Sequence, residues 1–112
     1  MLLAPAANLY EPIESPDEVF EHPLAVAYHF TRWHPGEDGA ATFRLVSQLS
    51  GGPDWLVMYF SADGYADDSV QAEEWRIQLE RTEGGWRVTD AGKRVKCYRG
   101  ENAGEWQKGL CP

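Results

Sequence analysis

The segment Gln71–Cys97, QAEEWRIQLERTEGGWRVTDAGKRVKC, decides the fold. Its first half alternates: Trp75, Ile77 and Leu79 point one way, and Glu74, Arg76, Gln78 and Glu80 the other. That is the period of a half-buried β-strand. Glu83-Gly84-Gly85 then supplies a hairpin turn with glycine available for positive φ. The chain returns through Trp86 and Val88, and later Val95 and Cys97, on one common face. Ala91-Gly92 interrupts this return strand and predicts a bulge or bend.

Working back from the hairpin, residues 54–62, DWLVMYFSA, are aromatic and branched and are bounded by Pro53 and Asp63-Gly64. They read as a well-buried strand, and GYADDSV as the turn that follows. The N-terminal third reads as helical. In SPDEVF, Ser15 is an N-cap, Pro16 sits at the first helical position and Glu18 completes a capping box. Asp17 and Glu18 suit the positive end of the helix dipole. Pro23 makes this helix short, about 16–22, or kinks it. The next stretch, LAVAYHFTRW, fits two periods. Leu24, Val26, Tyr28 and Phe30 share a strand face; Phe20, Leu24, Ala27 and Phe30 share a helix face. The alanines and the capped start favour helix. Residues 34–39, HPGEDG, form a loop. In ATFRLVSQLSGG, Ala40, Phe43, Val46 and Leu49 fit a short helix closed by Gly51-Gly52, with a strand as the other reading. The expected fold class is therefore α+β: N-terminal helices packed on a curved antiparallel sheet formed by a meander.

At 112 residues the chain is one domain, residues 15–112, preceded by residues 1–14 as a flexible arm or a signal-peptide remnant. LLAPAAN has the look of the end of an apolar signal region with a small-residue cleavage site, but the basic leader is missing. The net charge of −8 argues against nucleic acid as a partner. The charge is uneven: residues 1–75 hold 13 Asp/Glu against 2 Lys/Arg, and residues 76–112 hold 5 against 8. The two halves are expected to attract one another across one sheet. No apolar run approaches the 18 residues that would span a membrane.

Cys97 and Cys111, the only two cysteines, bracket the polar tail YRGENAGEWQKGL. Zinc sites use close Cys pairs or Cys with spaced His, and neither occurs. A CxxC redox motif is absent. The spacing favours a disulfide that closes a loop of about 15 residues and tethers the tail through Trp106. Such a bond implies an oxidising compartment, hence an exported, periplasmic or extracellular protein. The alternative is a pair of buried thiols in a cytoplasmic one.

The remaining candidates are weaker in pattern. His29 and His34 do not share a helix face. Asp63, Asp67 and Asp68 lack the spacing of an EF-hand loop and suit a turn. Arg94, Lys96 and Tyr98 share one face of the return strand and pair with Glu74, Gln78 and Glu80 across the hairpin. An isomerase-type pocket needs a carboxylate base and a hydrogen-bond donor in an apolar cavity; Asp90, Tyr28 and Tyr59 are its candidate parts. No catalytic serine elbow, phosphate-binding loop or dinucleotide fingerprint is present. No residue pattern calls for a cofactor or a metal.

The stretch DDSVQAEEWRIQLERTEGGWRVTDAGKRVKC resembles the C-terminal strands of small NTF2-like (cystatin-like) α+β domains. The ending AGKRVKC…W…CP is similar to that of small exported bacterial proteins that carry a GxRxxC…W…CP pattern. The resemblance covers about residues 67–112. It implies helices packed into the hollow of a curved sheet, and a family range from isomerases and dehydratases to binding modules. The expected function is a small exported, non-catalytic module that binds an unknown small molecule or protein. The alternatives are a pocket-based isomerase or dehydratase with a carboxylate base, and an interaction protein that forms a homodimer through the open sheet face.

Overall fold

In the computed structural model, residues 7–31, 42–49, 52–63, 70–109 and 111 are described. A 3-10 turn (Ala7–Leu9) leads into β1 (Glu11–Pro12), β2 (Val19–Phe20) and the helix α1 (Pro23–Thr31). The long strands follow: β3 (Thr42–Leu49), β4 (Trp55–Asp63), β5 (Val70–Thr82) and β6 (Gly85–Cys97), with the short β7 (Trp106–Gln107) in the tail. The sheet is antiparallel throughout, in the order β1-β6-β5-β4-β3, and β2 and β7 also pair with β6.

This corrects the expected α+β architecture. Among the described residues one nine-residue helix lies against a seven-stranded sheet. Two segments read as helix are strand. The capping signature at Ser15–Glu18 starts no helix, because Val19 and Phe20 pair instead with Arg87 and Trp86 and bury Phe20. The open edge of β6 offers main-chain partners that a short helix capped at Ser15 would not use. α1 begins at Pro23, a residue favoured at the first helical position because it has no N–H to leave unpaired. Residues 42–49 pair over their full length with β4, from Thr42 opposite Asp63 to Leu49 opposite Leu56. The loop read at 34–39 and most of the acidic turn, residues 64–69, lie outside the described residues.

The hairpin reading holds. Thr82 stands opposite Gly85 across the two-residue turn Glu83-Gly84. Gly85 has φ 143°, and a Cβ there would lie 2.2 Å from the Phe20 carbonyl oxygen, so β2 can pair only because residue 85 is glycine. The bulge falls at Thr89. Gln78 faces Asp90 while Leu79 faces Val88, and the Thr89 hydroxyl donates to the Gln78 carbonyl at 3.3 Å. The extra residue shifts the alternation, so Val88 before it and Ala91, Val95 and Cys97 after it are all buried.

The core lies between α1 and the sheet. Val26 and Ala27 of the helix and Phe20 of β2 cover Met58, Phe60, Trp75, Ile77 and Leu79. Phe60 and Trp75, opposite one another in register, stack at 5.5 Å between ring centroids. Each fully buried side chain of this size contributes about 1.5–3 kcal/mol of burial. Leu24, expected on the buried helix face, is 64 % exposed. The other face of the sheet carries a smaller cluster, Tyr10, Val57 and Tyr59. Residues 7–14, read as an arm, lie against the sheet: Tyr10 is buried and the Ile13 N–H bonds the Ala91 carbonyl at 3.0 Å. No helix among the described residues is long and apolar enough to cross a membrane.

Candidate functional site

The second sheet face carries the densest polar arrangement. Glu74 and Arg94 are cross-strand partners in β5 and β6. Glu74 Oε1 accepts from Arg94 Nε at 2.8 Å and from the Tyr10 hydroxyl at 2.5 Å. The Arg94 guanidinium lies 4.7 Å from the Tyr10 ring centroid and 4.9 Å from that of Trp106, and the Lys96 ammonium is 4.7 Å from the same indole. Tyr10 enters because residue 92 is glycine: a Cβ there would meet the Tyr10 Cβ at 2.7 Å. Burial first, then the Glu74 carboxylate, pushes the Tyr10 phenol well above its ordinary range, with Arg94 opposing. The phenol therefore keeps its proton and donates a hydrogen bond to Glu74 as a neutral group. The arrangement acts as a clasp: it ties the N-terminal segment, β5, β6 and the tail into one charge-assisted network.

The three pocket candidates do not converge. Tyr28 is 56 % exposed on α1. Tyr59 is buried on the opposite sheet face, 6.4 Å from Tyr10 between ring centroids. Asp90 sits at the bulge with its side chain half exposed and accepts from Arg76 Nη1 at 3.4 Å. Arg76 links two of them, since its guanidinium also lies 6.0 Å from the Tyr59 ring centroid. Arg76 and Asp90 line a cavity of about 30 Å³ with Ala7, Tyr10, Pro12, Ala91 and Gly92. That is room for one or two waters, not for a substrate. Arg76 Nε is buried with no hydrogen-bond partner among the described residues. A larger groove, about 450 Å³, is bounded by Ile13, Glu14, Pro16, His29 and Phe30 and holds none of the three candidates. His29 Nδ1 stands 3.7 Å from Glu18 there.

Cys97 and Cys111 lie at disulfide distance with Cα atoms 5.6 Å apart, and Cys97 is fully buried. The tail they close folds onto β6. Trp106 stands opposite Lys96, the Gly104 N–H bonds the Cys97 carbonyl at 2.9 Å, and the Gly109 N–H donates to Glu11 Oε2 at 2.8 Å. Charge attraction between the halves is visible in Glu73–Lys93 and Glu74–Arg94. Glu74, Arg94 and Trp106 were legible as residues. Tyr10 and Arg76 as their neighbours were not; the one available signal was Gly92, a strand glycine that marks a close approach.

The two long edges of the sheet are treated differently. The outer side of β6 is closed by three short strands: β2 on Trp86 and Arg87, β1 on Gly92 and Lys93, and β7 on Val95 and Lys96. The outer side of β3 pairs with no strand among the described residues. Its eight residues present a row of main-chain donors and acceptors, and Val46 at its middle is 39 % exposed.

Fold and site together define a β-rich domain with a disulfide-clipped tail, one sheet edge closed by short strands and one edge that is unpaired among the described residues. No protein family, curated protein or solved structure matches the chain.

Proposed function

We propose that this chain is an exported, non-catalytic binding module that takes up an extended protein segment by strand addition to β3. The outer edge of β3, which pairs with no strand among the described residues, carries the reading. An unpaired strand of this length is a template for main-chain pairing, and strand addition is a common way for a sheet to recognise a peptide. The contrast with β6, whose edge is closed by three separate strands, supports it. The disulfide pair supports export, since such bonds persist in oxidising compartments. The isomerase alternative needs a carboxylate and a tyrosine hydroxyl in one apolar cavity, and Asp90, Tyr28 and Tyr59 are dispersed.

Hydrogen exchange on the monomeric chain tests the edge. Alternate amides of residues 42–49 should exchange as unprotected groups while those bonded to β4 stay protected. Protection of every β3 amide in the monomer would mean that the edge is already covered, and the reading would fall.

A further inference from the structure

The N-terminal segment and the disulfide-closed tail meet on one side chain. We infer that the Cys97–Cys111 bond controls how firmly residues 7–13 are held on the sheet. Reduction of the bond loosens both segments together and uncovers the edge of β6 from Gly92 to Lys96. This is independent of what pairs with β3.

Arg94 is the shared support. Its guanidinium lies 4.7 Å from the Tyr10 ring centroid of one segment and 4.9 Å from the Trp106 ring centroid of the other. A second tie joins the segments directly, from the Gly109 N–H to Glu11 Oε2 at 2.8 Å. Each segment is thinly held by itself. β1 and β7 pair with β6 over two residues each, and residues 98–105 of the tail are all exposed. Segments with so few contacts sit at the low end of local stability, and the loss of chain freedom opposes their docking. The disulfide removes much of that freedom because it fixes both ends of the loop. With the bond broken, the tail is anchored at Cys97 alone. When Trp106 then leaves Lys96, Arg94 loses one of its two rings, Glu11 loses Gly109, and water reaches the pairing that holds Tyr10.

A dithiol reductant supplies the two electrons. Cys97 is fully buried and Cys111 half-buried, so Cys111 is the reachable partner. The reductant's thiolate attacks Cys111 Sγ, the S–S bond breaks, and the Cys97 sulfur leaves and takes a proton. The second thiolate of the reductant then closes on the mixed disulfide and releases the Cys111 sulfur, which takes the other proton.

Amide exchange of the full chain in low urea, oxidised and with dithiothreitol, tests this. The Ile13 N–H bonds the Ala91 carbonyl and the Gly104 N–H bonds the Cys97 carbonyl, so these two amides report the two segments. Reduction should speed both about tenfold or more, with the weak urea dependence of a local opening. Amides of the β4–β5 ladder should keep the steep urea dependence of global unfolding. Oxidised Trp106→Ala retains the disulfide and should speed the Ile13 amide severalfold; it carries the test if the reduced chain does not fold. An Ile13 amide that merely follows the ladder amides on reduction would overturn the inference. So would one that is unchanged while Gly104 quickens, or one indifferent to Trp106→Ala.

Discussion

Replacing Cys97 and Cys111 with alanine removes the covalent tie between β6 and the tail that carries β7. The cysteines are 14 positions apart. In the chain-entropy picture a loop of about 15 residues makes the bond worth about 3 kcal/mol through the unfolded state. Cys97 is fully buried, so loss of its sulfur adds about 1 kcal/mol of packing. The double variant should therefore lose about 4 kcal/mol, and the wild type with a thiol reductant about 3 kcal/mol, since reduction keeps the sulfur. With unfolding entropy scaling with length, each kcal/mol moves Tm by about 4 °C in a chain of this size. The variant should melt about 15 °C lower and reduced wild type about 12 °C lower. Urea unfolding followed by tryptophan fluorescence gives both values. The m-value should rise on reduction, because an uncrosslinked unfolded chain exposes more surface. Oxidised and reduced wild type agreeing within about 0.5 kcal/mol would refute the reasoning, because the loop would then cost no entropy to close.

The Tyr10 phenol gives a pH prediction. The folded chain holds its proton well above the ordinary phenol value, so below that value the group's contribution to stability is fully present. As pH rises past about 10 the unfolded chain releases the proton and the folded chain does not, and stability falls by about 1.4 kcal/mol per pH unit for this one group. Denaturation curves of wild type and Tyr10→Phe between neutral and strongly alkaline pH should converge at that slope; parallel curves would contradict the assignment. Gly92→Ala forces its new methyl group against Tyr10, while Tyr10→Ala empties the same space. The two losses should be non-additive by about 1 kcal/mol or more in a double-mutant cycle, and additive losses would mean that they do not share the site.

The strands were legible where their neighbours agree with their own pattern. Trp75, Ile77 and Leu79 alternate because a polar face and a core lie on the two sides of β5. Their spacing alone carries that information. β3 and the segment around Phe20 were misread for the opposite reason. Each fits a helical period, and Ser15–Glu18 has the letters of a helix start. What decides both is a strand edge outside the segment itself: β4, the next strand along, for residues 42–49, and the distant β6 for Val19–Phe20. Local patterns do not register that. Ala91-Gly92 in the return strand marks an irregularity, yet the bulge at Thr89 and the close approach at Gly92 are separate events that merge in the sequence. The disulfide was readable from spacing. The clasp was not, because Tyr10 and Glu74 are 64 positions apart and no periodicity connects them.

Three short strands from both terminal regions dock on β6, and this governs the order in which the molecule can assemble. β1 and β2 have no partner until Trp86–Lys93 exists, and the Glu11–Gly109 bond spans 98 positions. A chain emerging N-terminus first cannot place Tyr10 or Phe20 while it is being made. It must hold these apolar segments open until the β5–β6 hairpin has closed. Such long-range closure makes folding slow. A slow folder stays extended for longer after synthesis, with Tyr10 and Phe20 open to water and to other chains until the hairpin has formed.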